Sequence, residues 1–510
     1  MQSFLSKHCN KIRGVLECFD RVIIKGHLPI SRPDQMEDFI AHHGLLIKDF
    51  QRFVKKHSQD LVDGIKRYAE EVGRPYIYCN HAMRNEAEAK AIAERDGISS
   101  GLIVVFSKVE RCSSFLMVPG KGRPRLVRAS RKCLCLYLYF IDSEFGFMHL
   151  RIQSWFPFTL QVYVNGHFWL AKQLDKKDIP YQMEDNCLLF YGDGDHVQEL
   201  SNRFARLTWV QRLDRLACIA NPLLKDLIYS MSYYWCLEQV EFSTDIYFSM
   251  SSDLSAWYEK ALKYAICCFG AEDVMTFLGR KLHHAFAGQI VSDVCRRWQG
   301  RRIKHRVKEN WIKMYDKAGV ILRVETVINR PGEFRVRRKG IRKGRTTIGW
   351  LPLPKGIAYM FRYAEVAQAA NQRYLDAIAV VEDPTESYSH LHQLARPVKK
   401  KGRTYRGFNP ADDRDLTVIR AVMRGEFLIH GFRNRDIRQI LLTDTQHRKK
   451  CHPNSSQMTR IFKRMHVRQI ISKIPRSRRW KITKRGLAIF GLTLTLYDSL
   501  PIHSPTTKAA

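Results

Sequence analysis

Lys313, Tyr315, Arg323 and Glu325 stand at alternate positions of two alternating apolar–polar runs that break at Lys317-Ala318-Gly319. Such runs read as a β-hairpin. A three-residue loop closing on Gly319, which can take positive φ, pairs Asp316 with Val320 and Met314 with Leu322. Ile312, Met314, Leu322 and Val324 then share one face, and Lys313, Tyr315, Arg323 and Glu325 the other. A slip of one residue would mix the two sets, so the apolar pattern selects this arrangement. A solvated strand would carry similar charges, and the flanks weigh against that reading. Arg296, Arg297, Arg301, Arg302, Lys304, His305, Arg306 and Lys308 precede the hairpin, and a second basic run from Arg335 to Arg345 follows it. A site that holds a polyanion and orients a metal needs carboxylates beside cations. Arg301, Arg302, Lys304 and Arg306 are therefore expected to contact nucleic acid.

Other elements must hold this hairpin in place. Val240 to Phe248 alternates in the same way, with Glu241, Ser243, Asp245 and Tyr247 on one face. Residues 1–70 read as largely helical around one strand that opens at Asp20. That residue suits a nuclease carboxylate, and more readily a cap or a surface ion pair. A strand at residues 74–78, a helix at 85–95 and a buried strand at 101–106 suggest a βαβ unit with parallel pairing. Lys121 to Lys132 reads as a loop of six cations, either solvated or phosphate-contacting. Residues 134–152 read as a hairpin, and 159–164 as a further strand running into a two-residue turn at Asn165-Gly166. The aromatic residues of this region suit core packing or stacking on single-stranded bases. Residues 171–240 return to helical spacing, and 254–269 forms an amphipathic helix.

Composition narrows the partner. Lys and Arg total 85 against 50 Asp and Glu, a net charge of +35, in a 510-residue chain that is 45% hydrophobic. A globular chain this basic most often meets a polyanion, with DNA first and RNA possible. No apolar run approaches the length of a membrane span, and no basic-then-apolar leader opens the chain. The expectation is a cytoplasmic protein with no membrane partner. The 13 cysteines are scattered, with Cys133/Cys135 and Cys267/Cys268 the close groupings and no Cys-x-x-Cys. No four-ligand zinc pattern is visible, and most cysteines are expected to be reduced and buried.

The fold class expected is a multidomain α/β protein, a mixed sheet core with helices. An N-terminal α/β domain spans 1–125, and a central sheet-and-helix domain with a basic groove spans 126–395. A basic linker broken by Pro and Gly follows at 396–409. Residues 410–500 read as three helices, a ribbon at 469–483 and a last helix from Lys484, the third helix capped by Pro453-Asn454-Ser455-Ser456. This order resembles a winged helix-turn-helix domain. The resemblance implies that the third helix enters the major groove and the ribbon tip contacts phosphate or the minor groove. Mapped here, Asn454, Ser456, Gln457, Arg460, Lys463 and Arg464 would face DNA, with Arg476, Arg478 and Arg479 on the wing.

Lys313-Met314-Tyr315-Asp316-Lys317 followed by Arg323-Val324-Glu325 resembles a segment of plasmid rolling-circle replication initiators, and Thr244-Asp245-Ile246 is similar to their upstream acidic strand. The resemblance implies a tyrosine nucleophile that nicks one DNA strand and carboxylates that hold a divalent metal. Tyr315 would be the nucleophile, with Lys313, Lys317 or Arg323 lowering its pKa or stabilising phosphate charge. Asp245 and Glu325, hard oxygen ligands, would hold Mg²⁺ or Mn²⁺. The chain lacks a clear Gly-Ser-Arg-Lys-Ser approach to the tyrosine strand, which those initiators carry. His390-Leu391-His392 matches a His-hydrophobic-His nickase motif only superficially. As a whole the chain resembles long bacterial open reading frames, which adds no function. The function expected is replication initiation or strand transfer for a bacterial mobile element or plasmid, by metal-dependent nicking. The alternative is a non-catalytic DNA- or RNA-binding accessory protein or transcriptional regulator.

Overall fold

The structure, a computed structural model, describes all residues except 80–84, 121, 123, 283–285, 298–299, 343–344, 383–391, 401, 410–411, 425–426, 428–430, 444–452, 476 and 500–510. Two compact units are made of interleaved segments. One comprises Ile12–Phe248 and Glu309–Asn371, the other Met1–Lys11, Ser249–Lys308 and Gln372–Ala510. The expected divide at 125/126 falls at the first residue of a strand whose partner lies before it.

The strands in chain order begin with β1 (Ile12–His27), β2 (Tyr76–Tyr78), β3 (Gly101–Val118), β4 (Arg125–Asp142), β5 (Gly146–Gln153) and β6 (Leu160–Asn165). Next come β7 (Tyr181–Glu184), β8 (Cys187–Tyr191), β9 (Tyr234–Phe248), β10 (Ile290–Arg297) and β11 (Gly300–Val307). Then follow β12 (Asn310–Lys317), β13 (Ile321–Ile328), β14 (Arg335–Arg342) and β15 (Arg345–Pro352). In the first unit one mixed sheet runs β12-β13-β9-β1-β6-β5-β4-β3-β2. Its β2–β3 pair is parallel, as the βαβ reading requires, and its other pairs are antiparallel.

Burial explains the order. Every residue of β13 is buried, and β9 is buried from Val240 to Phe248. Both strands therefore sit inside the sheet, covered on both faces. Beneath β9 and β13, Asn371 of the helix Met360–Ile378 donates to Phe242 O and Thr244 Oγ1 and accepts from Thr326 Oγ1.

Three local expectations change. The six-cation run is strand, not loop, from Arg125 on: it pairs along β3, with Arg131 opposite Cys112. Asn165-Gly166 is no hairpin turn. Asn165 caps the helix Gly166–Asp175, its side chain accepting from the backbone of His167 and Phe168. Asn serves both uses, and a helix N-terminus supplied the free N–H groups. Residues 181–191 hold a β-hairpin, β7–β8, within a stretch read as helical.

In the second unit β10 and β11 form an antiparallel hairpin. The C-terminal part holds helices Asp413–Val422, Asn434–Thr443 and Ser455–Val467, then a short ribbon of Ile471–Lys473 and Trp480–Ile482, then the helix Lys484–Ser499. Phe432 bridges to Trp480 and adds a third strand position to the ribbon. These elements close over one core that includes Ile419, Phe432, Ile437, Met458, Phe462 and Phe490.

Candidate active site

The hairpin forms with its expected faces but a register two residues away. Asp316 pairs with Leu322, Tyr315 with Arg323 and Lys313 with Glu325. Ala318 and Gly319 both take positive φ, at 53° and 74°, and the Asp316 side chain accepts from Gly319 N. A slip of two leaves every side chain on its own face, so the polar set survives.

β13 then pairs with β9, Arg323 opposite Asp245 and Glu325 opposite Ser243. β9 pairs with β1, Cys18 opposite Ser243. Between Phe19 and Val22 the β1 register jumps, setting Asp20 and Arg21 against the single residue Glu241. A bulge re-aims the side chains it carries. Here it delivers Asp20 to the polar face, where four strands now contribute side chains.

Two clusters share this face. In the first, Arg323 grips Asp245 with two hydrogen bonds of 2.6 Å, both side chains wholly buried. The guanidinium also lies 3.2 Å from His167 Nε2, donates to Asn186 O at 3.2 Å, and stands 3.6 Å from Asp20. Burial alone would raise the Asp245 pKa, but the Arg323 charge outweighs it and holds the carboxyl below its ordinary value. Asp245 is thereby matched by a bidentate partner.

The second cluster is carboxylate against carboxylate. Asp20, Glu241 and Glu325 bring ligand oxygens within 4.8 Å of one another, all three residues buried. Tyr315 donates to Glu325 Oε2 at 2.7 Å. Lys313 Nζ stands 2.5 Å from Glu325 Oε1 and 3.4 Å from Glu241 Oε2. Glu325 Oε1 nonetheless takes no hydrogen bond of good geometry. Burial and the neighbouring Glu325 push the Glu241 carboxyl up to about 8, so near neutrality it carries a proton. Lys313 stays charged because Glu325 and Glu241 outweigh its burial.

The donor set fits a hard divalent cation. It consists of oxygens alone, and trans oxygens about Mg²⁺ lie roughly 4 Å apart. Asp20, Glu241 and Glu325 would hold Mg²⁺ or Mn²⁺; Asp245 belongs to Arg323. Asp20 also accepts from Asn165 Nδ2 at 2.6 Å and from Asn186 Nδ2 at 2.8 and 2.9 Å. Asn186 sits in the β7–β8 turn and takes a hydrogen bond from Lys317.

Tyr315 does not meet the requirements of a nucleophile. Burial and the adjacent Glu325 raise its pKa well above the ordinary phenol value, and its hydroxyl points at a carboxylate. The expected help from Lys313, Lys317 and Arg323 is spent elsewhere, since each binds a carboxylate or Asn186.

Of the expected nucleic-acid contacts, Arg301, Arg302, Lys304 and Arg306 lie on β11, in the unit that does not hold the carboxylates. Arg301 pairs with Glu259. On the helix Ser455–Val467, Ser456, Arg460 and Lys463 are exposed. Asn454 and Gln457, also exposed, form a reciprocal capping box. Arg464 turns inward, stacked 4.0 Å over Phe408 and bonded to the carbonyls of Arg406 and Gly407. Arg478 is exposed, Arg479 donates to Gly431 O, and Arg476 lies outside the described residues. Of the His390-Leu391-His392 motif, only His392 is among the described residues.

Sequence reasoning passed over three members of this site. Asp20 stood first for a cap or a surface ion pair, Glu241 stood on the right face without a role, and Asn186 lay in a stretch read as helical. The bulge that aims Asp20 leaves no mark in the local pattern. Among the described residues, no helix is long and apolar enough to cross a membrane. Set against known proteins, the chain matches no family model, none of the curated proteins and no solved structure.

Proposed function

We propose that this chain binds nucleic acid and cleaves or transfers a phosphodiester strand at Asp20, Glu241 and Glu325, as replication initiation or strand transfer of a mobile element or plasmid requires. One observation carries the reading: three carboxylates and the Lys313 ammonium converge on a rigid sheet, in a chain of net charge +35. A bound Mg²⁺ or Mn²⁺ supplies Lewis-acid polarisation of a phosphoryl oxygen and an acidified water. Lys313 offsets part of the carboxylate charge around the site. Glu241, which holds a proton up to about pH 8 without a cation, gives it up on ligating the metal. Tyr315 positions Glu325 through its hydroxyl.

Two further features support a nucleic-acid partner. The β14–β15 ribbon carries Arg335, Arg337 and Lys339 on one exposed face with Ile341, Ile348 and Trp350, the last three 80%, 62% and 68% exposed. Cations around a bare indole suit phosphate contact with base stacking. The C-terminal helices and ribbon, with Arg460, Lys463 and Arg478 open, agree with the winged-helix reading.

The test is supercoiled plasmid DNA with the whole chain and Mg²⁺ or Mn²⁺. Nicked circles that require the metal support cleavage. A second reading, a non-catalytic binding protein or regulator, draws on the burial of all three carboxylates; salt-sensitive DNA or RNA binding without nicking selects it.

A further inference from the structure

A second ligand cluster lies at the other side of the same sheet, and the proposed function does not use it. Cys112 of β3 and Cys133 and Cys135 of β4 bring their sulfurs within 4.8 Å of one another, all three residues buried. Glu110 pairs with Cys133 and Cys112 with Arg131 in the antiparallel register, so the three cysteines share one face of two adjacent strands. The sulfurs of Cys112 and Cys135 are 3.3 Å apart.

We propose that Cys112, Cys133 and Cys135 form a binding site for a thiophilic closed-shell metal cation, Zn²⁺ or Cu⁺.

Geometry supports it first. Three sulfurs bonded at about 2.3 Å to one Zn²⁺ stand roughly 3.8 Å from each other, between the 3.3 Å contact and the 4.8 Å limit seen here. Little movement is needed, because paired strands hold all three ligands. Charge supports it second. Arg151 Nη2 donates to the sulfurs of both Cys112 and Cys135, at 3.4 and 3.1 Å, and to Glu110 Oε2 at 2.8 Å. A metal-free cluster of neutral thiols gains little from a guanidinium. A trithiolate around a cation carries net negative charge and is matched by one. The thiol protons would leave on binding. Trp155 and Tyr137 pack against the group.

The described His, Cys, Asp and Glu side chains add no fourth ligand to the cluster. That set completes a trigonal site for Cu⁺ and leaves one position open on Zn²⁺. The two ions are separated by experiment. Reduced full-length protein is titrated anaerobically with Co²⁺, as the chromophoric substitute for Zn²⁺, and separately with Cu⁺ under a competing chelator. The expected result is one equivalent bound with thiolate-to-metal absorption, abolished in both C112S and C135S. Arg151→Lys should weaken binding roughly 10–100-fold without removing the absorption. Zn²⁺ displacing Co²⁺ assigns the Zn²⁺ arm; Cu⁺ binding alone assigns the other. No thiolate absorption with either ion overturns the proposal, and so does absorption retained in both serine variants. Should the serine variants fail to fold, band intensity in the wild-type protein decides: three metal–sulfur bonds support the site, and one or none overturns it.

Discussion

Asp245 and Glu241 sit four residues apart on β9, on the same face and at similar burial, yet they are opposite kinds of carboxylate. Asp245 faces Arg323 across the register and is matched twice by one guanidinium. Glu241 faces the bulge of β1 and lies against Glu325 and Asp20, with Lys313 as a cation that both glutamates share. The first arrangement is complete. The second has more carboxylate than cation, and it balances its charge near neutrality by keeping a proton on Glu241. A buried carboxylate with its own arginine is structural, whereas a buried group of carboxylates holding a proton has room for a cation.

The largest effect expected is on the complete side. Arg323→Met strands Asp245 and Asp20 without their shared partner and should lower stability by about 3–5 kcal/mol. Chemical denaturation of the whole chain reads this; a loss under about 1 kcal/mol would erase the contrast with the Glu241 cluster.

Glu325→Gln comes next and should act on chemistry instead. Metal-dependent nicking should fall to background while DNA binding and the unfolding midpoint hold, because the change removes a ligand charge and keeps the shape. Binding lost in parallel with nicking would mean that Glu325 supports the fold.

The two carboxylates should also answer pH with opposite signs. The folded pKa of Asp245 is lowered, so its contribution to stability is present above its ordinary pKa and is lost as acid titrates it. The folded pKa of Glu241 is raised to about 8. Its contribution is full below the ordinary glutamate value and is lost as pH rises through about 8. Metal binding must displace that proton, so Mn²⁺ affinity should rise up to about tenfold per pH unit and flatten above about pH 8. Calorimetry in buffers of different ionisation enthalpy would show the released proton. A flat profile, or one unchanged in Glu241→Gln, contradicts the assignment.

Tyr315→Phe should give the smallest change. It deletes one hydrogen bond to Glu325, worth about 1 kcal/mol, and should leave nicking within roughly tenfold of the parent. A loss as deep as that of Glu325→Gln, with a DNA–protein adduct in the parent, would restore tyrosine as nucleophile.

Much of this was legible before any coordinates. The face carrying Lys313, Tyr315, Arg323 and Glu325 followed from alternation alone and survived a two-residue error in register, because side-chain direction repeats every second residue. The helix Asn85–Arg95, the parallel β2–β3 pair and the helices of the C-terminal part were readable from apolar spacing and caps. Asn165-Gly166 was misread because one side chain serves a turn and a helix cap equally well. Asn454 and Gln457, expected to face DNA, are exposed and also make the capping box that their spacing allows.

Local sequence determined composition, charge, strand faces and helix ends, all of which depend on neighbours a few residues apart. Tertiary structure alone decided which charges meet. Asp245 went to Arg323 and not to a metal because β13 pairs β9 in one particular register. Asp20 joined Glu241 and Glu325, across more than two hundred residues of chain, because a bulge in β1 turned it onto the same face. Cys112 reached Cys133 and Cys135 through the long β3–β4 pairing. Register and bulges are set by the packing of the whole sheet, so the partners of a buried charge appear only once the sheet is assembled.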